Sequence, residues 1–280
     1  MIKDKEKNFI SAVVYVHNNE NEIKGFLEKI NNLLHENFEQ YEIICVNDFS
    51  GDNSCKIIND YCAETVPMPV TIVNMSHKHG TEMAMIAGVD LAIGDFVYEF
   101  DSCVTDYPVK TVMDVYYKSL EGFDIVAAAP LNKGGFFSSL FYKLFNGFNG
   151  LNLRSERFRL LSRRVINRVR QNTDNIIYRK AVYYTCGLPY VYMEYAPDFK
   201  AKANYDLLYG ENLAVDSLIA FTNLGYRASI SITAFMMILS VAFILYALSI
   251  KIFGINVSGG WATLMCVISV ALVNGFSVYV

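Results

Sequence analysis

The sequence predicts an α/β domain on a mostly parallel sheet, then an amphipathic helix at a membrane surface and two membrane-spanning helices. Three observations carry this expectation. Short apolar runs alternate with helical patterns through the first half of the chain, each run is nearly continuous in apolar residues, and two long uncharged stretches close the sequence. Continuous apolar strands separated by helices describe a parallel sheet covered on both faces. A chain of 280 residues with 53 % hydrophobic content and mean hydropathy +0.24 has room for one such domain and a membrane-associated portion. Its net charge of −4 argues against a nucleic-acid partner, because nucleic acid is bound through a Lys/Arg excess that this chain lacks.

The elements follow in order. Phe9–Val16 (FISAVVYV) is a first strand, ended by HNNENE and followed by a helix whose apolar positions are Ile23, Phe26, Leu27, Ile30, Leu33 and Leu34. Tyr41–Asn47 is a second strand, stopped by DFSGDNS, with a helix through Ile57, Ile58 and Tyr61 behind it. Val70–Met75 is a third, followed by the Ala- and Met-rich helical stretch HGTEMAMIAGVDLAIG. DFVYEFD is a fourth, a helix covers Val109–Leu120, and FDIVAAAP is a fifth. From Gly134 to Arg170 the chain is first aromatic and Gly-rich, then strongly basic.

Tyr205–Arg227 mixes apolar and polar positions as a helix lying on a membrane surface would. Ile230–Ile250 and Trp261–Val280 carry no charged residue and are each long enough to span a bilayer, joined by KIFGINVSGG. The expected division is therefore a globular domain over 1–203, a surface helix over 204–228 and a two-span hairpin over 229–280, with a sequence that stops short of its natural end. The basic flank precedes the first span, so the large domain is expected on the cytoplasmic side. The N-terminus is too quickly interrupted by His17, Asn18 and Asn19 for a signal peptide. The six cysteines include no Cys-x-x-Cys pair, which fits a reduced, cytosol-facing body.

The polar clusters Asn18–Glu20, Asn47–Asp52 and Asp101–Asp106 all fall at carboxyl ends of strands, where open α/β sheets bind ligands, and are expected to converge on one cleft. There Asp48 is suited to accept hydrogen bonds from a base or ribose, and Asp101 to hold a divalent cation bridging a diphosphate, with Glu20 joining them. Singly, each is an ordinary loop carboxylate; their recurrence at three strand ends is the signal.

VVYVHNNENEI, VNDFSGDNS, HGTEMAMIAGVDLAIGDFVYEFDS and FRLLSR, followed by two C-terminal spans, resemble the family-2 inverting glycosyltransferases, within them the polyprenyl-phosphate sugar transferases. The resemblance implies a Rossmann-like glycosyltransferase A-type domain. It implies a UDP- or GDP-linked sugar held by Val16, Asn18, Glu20, Asp48, Ser50, Gly80, Asp101 and Ser102. A Mg²⁺ or Mn²⁺ ion would sit on Asp101, with Cys103 and Asp106 as its only further candidate ligands. A polyprenyl phosphate would be held by Arg157, Arg159, Ser162 and Arg163, the arginines at 159 and 163 sharing a helical face four residues apart. Asp101, Arg159 and Arg163 are the implied catalytic residues. The implied setting is a multi-pass protein of the bacterial inner membrane, and paired spans allow packing between protomers.

The residues depart from the family pattern at four places: Cys103 stands where its Asp-x-Asp motif has a second carboxylate, Glu156-Arg157 where Gly-Asp precedes Phe-Arg-Leu, Tyr15 where Pro is usual and Phe49 where Gly is usual. Two alternatives therefore stay open. One is transfer to a sugar hydroxyl on a lipid-linked glycan, which needs a carboxylate base such as Asp106 or Glu156; the other is a non-catalytic membrane partner.

Overall fold

A computed structural model describes residues 4–64, 70–131, 141–143, 145–147, 152–171, 178–197, 224–252, 260 and 267. The chain divides into two units, Met1–Ser217 and Leu218–Val280.

In the first unit the strands are β1 (Ile10–Val16), β2 (Tyr41–Asn47), β3 (Val70–Asn74), β4 (Phe96–Phe100), β5 (Ile125–Pro130), β6 (Phe158–Ser162) and β7 (Tyr190–Tyr195). The helices are α1 (Ile23–Asn37), α2 (Ser54–Glu64), α3 (Thr81–Leu91), α4 (Lys110–Leu120), α5 (Arg163–Arg170) and α6 (Arg179–Thr185). The strands form one seven-stranded sheet in the order β3-β2-β1-β4-β6-β5-β7. Only β6 runs against its neighbours, wedged between β4 and β5.

Alternation along the strands builds two cores, one on each face of the sheet. Ala12, Val14 and Val16 of β1 meet the α1 stripe Ile23, Phe26, Leu27, Ile30 and Leu34 together with Val112, Val115 and Tyr116 of α4. Val13 points the other way, to Ala84, Met85 and Val89 of α3 and Val165, Ile166 and Val169 of α5. The close approach of α3 depends on Gly88: a Cβ there would lie 2.4 Å from Val13 Cγ1 and 2.6 Å from Val46 Cγ2. Ala at this position would force the helix off the sheet.

The five expected strands and the mostly parallel sheet are present, and β6 is where expectation and structure part. FRLLSR reads as a basic helical face, yet Phe158–Ser162 is a strand whose Phe158 and Leu160 enter one core while Leu161 enters the other. Arg159 and Arg163 thus share no helical face: Arg159 pairs in register with Glu99 near the end of β4, whereas Arg163 opens α5 beyond the start of β4. Tertiary pairing overrode a local pattern, the usual reason a short segment changes type.

The second unit contains α7 (Leu224–Ile252). Its stretch Ser229–Tyr246 is long and apolar enough to cross a membrane, and is the one such helix among the described residues. At ~1.5 Å per residue, its 29 residues run about 43 Å. The expected surface helix lies outside the described residues up to its last turn, as does the second span but for residue 267.

Candidate active site

The carboxyl ends of β1, β2 and β4 lie side by side because these strands are parallel neighbours. The loops that leave them are joined by their own polar groups. Val16 O accepts from the Asp48 N–H at 2.9 Å, and Asn18 Oδ1 accepts from the Gly51 N–H at 2.8 Å. Asn18 N–H donates to Ser50 Oγ at 3.1 Å. Glu20 Oε2 accepts from both the N–H and the Nδ2 of Asn53 at 3.1 Å.

Asp48 is fully buried, and its carboxylate is already occupied. Oδ1 accepts from the His79 N–H at 2.7 Å; Oδ2 accepts from the Gly80 N–H at 2.8 Å and the Tyr15 hydroxyl at 3.0 Å. Asp48 therefore braces the turn into α3, where Gly80 takes φ +85°, a conformation glycine adopts without strain. Beside it, Phe49 is 58 % exposed at φ +56°, where a bulky side chain is strained. Glycine, the family's usual residue there, suits that backbone.

Asp101 closes β4 and meets two buried guanidinium groups. Its Oδ2 accepts from Arg159 Nη2 at 2.6 Å and its Oδ1 from Arg179 Nη2 at 2.7 Å. Arg159 also bonds Glu99 Oε2 through Nη1 at 2.6 Å, and its Nε lies 2.8 Å from Glu156 Oε1, an ionic contact without hydrogen-bond alignment. Arg179 bonds Glu82 Oε2 through Nε at 2.9 Å, and its Nη1 makes a similar ionic contact with Glu99 Oε1 at 2.9 Å. The Tyr183 hydroxyl donates to Glu99 Oε1, and the Tyr190 hydroxyl to Glu156 Oε2. Lys180 Nζ donates to the Tyr142 hydroxyl at 3.0 Å and stands 3.8 Å from Glu156 Oε1.

The electrostatics follow from this arrangement. Burial pushes the Asp101 carboxyl up, but the Arg159 and Arg179 guanidinium groups outweigh it and hold it down to about 2. Burial opposes the charge on both arginines, yet Asp101, Glu156 and Glu99 push Arg159 well above its usual range, and Glu82, Glu99 and Asp101 do the same for Arg179. The cluster is a closed ionic network whose side chains are mutually dependent.

The metal candidates are differently disposed. Cys103 is 2 % exposed among core residues, and its Sγ donates to the Tyr15 carbonyl at 3.4 Å. Asp106 accepts from Arg157 Nε at 2.7 Å and from the Tyr195 hydroxyl at 3.0 Å. Among the described residues no group of three His, Cys, Asp or Glu side chains is placed to hold a metal ion. The donor set does not fit Mg²⁺ or Mn²⁺, which take several oxygen ligands.

The expected phosphate group divides in two. Arg157 and Arg159 border the Asp101 end. Ser162, paired in register with Phe96 at the start of β4, donates to Asp124 Oδ1 at 2.6 Å. Arg163 donates to the carbonyls of Ala92 and Gly94, tying down the turn between α3 and β4. Ser162 and Arg163 lie away from the cleft because a strand, unlike a helix, carries residues four apart to opposite ends of the sheet. Ser102 Oγ accepts from the Val104 N–H within its own loop.

Glu82, Glu99, Arg179 and Lys180 join the site unannounced by the sequence. Glu99 stood out only as a charge inside an apolar strand, and Arg179-Lys180 as cations inside an aromatic run, Tyr178 to Tyr184.

The sheet is open, with one antiparallel insert, and its buried charges gather at the carboxyl ends of the parallel strands, where such sheets bind ligands. Residues 11–108 match Glycosyl transferase family 2, so the chain carries a domain of that family and is a glycosyltransferase by class. An uncharacterised glycosyltransferase of Synechocystis is 27 % identical over 270 residues, covering 92 % of this chain and 84 % of the relative. A prophage bactoprenol glucosyl transferase homolog of Escherichia coli is 27 % identical over 280 residues, covering 95 % and 89 %. Glucosyl-3-phosphoglycerate synthase from Mycobacterium tuberculosis, solved with Mn²⁺, UDP and glucosyl-3-phosphoglycerate, shares the fold at TM-score 0.59 and 16 % identity, over 77 % of this chain and 80 % of that one.

Proposed function

We propose that this protein transfers a sugar from a nucleoside diphosphate donor to a polyprenyl phosphate at the cytoplasmic face of a membrane. The observation that carries the reading is the cluster of charged side chains at the carboxyl ends of β1, β2 and β4 in a chain similar over nearly its whole length to a bactoprenol glucosyl transferase homolog. A helix long and apolar enough to span a bilayer supports the lipid substrate. In this reading residues 1–203 are the catalytic domain, 204–228 lie on the surface, and 229–280 anchor the chain twice.

The chemistry needs no protein base. A phosphomonoester is largely ionised at neutral pH, its second pKa being ~6. One of its oxygens forms a bond to the anomeric carbon, the bond from that carbon to the diphosphate oxygen breaks with inversion, and the nucleoside diphosphate leaves with the electron pair. The site's work is to align the two substrates and to offset the charge growing on the leaving group. Asn18, Glu20 and Ser50 rim the nucleotide end in this reading, Asp48 shapes it from below, and Arg157 faces the phosphates. The carboxylates a hydroxyl acceptor would require as base are both engaged, Asp106 by Arg157 and Tyr195, Glu156 by Arg159 and Tyr190. That observation favours phosphate over a glycan hydroxyl as acceptor.

The test is direct. Vesicles containing the full chain and undecaprenyl phosphate, given radiolabelled UDP- and GDP-sugars in turn, should yield a labelled lipid that mild acid cleaves. Absence of transfer from every donor, in protein that is folded, would leave the non-catalytic alternative.

A further inference from the structure

The three side chains that a divalent cation would use here are all committed elsewhere. Asp101 presents both oxygens to guanidinium groups, at 2.6 and 2.7 Å. Those groups are not at liberty to swing aside: the Arg159 and Arg179 side chains are 2 % and 0 % exposed, and their remaining nitrogens are held on Glu99, Glu156 and Glu82. A dication on Asp101 would stand within a few ångströms of two fixed positive charges, and in a partly dry site that repulsion is large. Cys103 turns its sulfur into the core and onto the Tyr15 carbonyl, and a thiol is in any case a poor partner for a hard cation. Asp106 is bridged by Arg157 and Tyr195.

We propose that this cleft binds its nucleoside diphosphate without a divalent cation, the buried pair Arg159 and Arg179 standing against Asp101 where a metal would otherwise sit and Arg157 meeting the diphosphate. The inference rests on the nucleotide-sugar reading of the cleft. Arg157 is the cation suited to contact because a quarter of its side chain remains in solvent, whereas the two clamping arginines have almost none. A guanidinium also matches phosphate oxygens in a bidentate manner that an ammonium cannot.

The test uses the full chain in detergent or nanodiscs. Mn²⁺ alone, titrated and followed by electron paramagnetic resonance, should keep the spectrum of the free ion. UDP and GDP, titrated by calorimetry in EDTA and again with Mn²⁺, should show dissociation constants agreeing within about twofold, a difference well under the tenfold that corresponds to ~1.4 kcal/mol. Stoichiometric Mn²⁺ binding, or a gain in nucleotide affinity with Mn²⁺ of about tenfold or more that Asp101→Asn abolishes, would overturn the proposal. If neither nucleotide binds in either condition, the proposed function fails, while the Mn²⁺ titration still decides whether the site accepts a metal. Arg157→Gln should weaken UDP or GDP binding in EDTA about tenfold and Arg157→Lys less; equal affinity in Arg157→Gln and wild type would remove Arg157 from the site.

Discussion

Asp48 and Asp101 follow the carboxyl ends of β2 and β4, the two parallel strands that flank β1, and they are satisfied in opposite ways. Asp48 takes two backbone N–H groups and a tyrosine hydroxyl, all neutral, and holds the turn into α3. Asp101 takes two guanidinium groups, and these are held in turn by Glu82, Glu99 and Glu156. Removing a neutral partner leaves one polar atom unpaired. Removing a charged one leaves several buried carboxylates facing one another, so the Asp101 end is the more costly to disturb and the more rigidly organised.

The largest effect that would break this contrast is at Arg179. Arg179→Gln leaves Glu82, Glu99 and Asp101 without their shared cation and should cost about 3–5 kcal/mol in urea denaturation, or prevent folding. A loss below about 2 kcal/mol would show that the cluster tolerates uncompensated charge. The next effect is in acid. Because the folded Asp101 carboxyl is held at about 2, below the ordinary 3.8, its contribution is present above pH ~4 and is lost as pH falls toward 2. That contribution is about 2 kcal/mol, and Asp101→Asn should remove this part of the pH dependence between about pH 4 and 2. A smaller effect concerns the neutral side: Asp48→Asn turns an N–H₂ group toward backbone donors and should cost about 1–2 kcal/mol in the same denaturation measurement. The smallest is a gain. Phe49→Gly relieves a left-handed phenylalanine and should stabilise the protein by about 0.5 kcal/mol, the relief of strain exceeding glycine's entropy cost, read as a slightly higher Tm.

Legibility in the sequence followed the range of the interactions. β1, β2, β4 and α1 declared themselves because their apolar spacing is local and matches a single burial pattern, as at Ile23, Phe26, Leu27, Ile30 and Leu34. The positions of Asp48 and Asp101 at strand ends were readable for the same reason. What they touch was not. Arg179 meets Glu82 across 97 residues of chain and Asp101 across 78, and Arg159 meets Glu99 across 60. No spacing rule encodes such contacts. FRLLSR misled because a five-residue strand with a charge in it carries too little pattern to be told from a helix.

Local pattern was enough to specify an α/β sheet with acidic residues delivered to the carboxyl ends of parallel strands, since periodicity and strand termini are properties of adjacent residues. That β6 runs backwards between β4 and β5 emerged from the assembled sheet alone, and that reversal sets Arg159 against Glu99 and Asp101 while sending Arg163 to the far end of the sheet. The physical reason is pairing: a buried guanidinium is stable only beside carboxylates, and which carboxylates stand beside it is settled by strand register, not by the residues on either side of it in the chain.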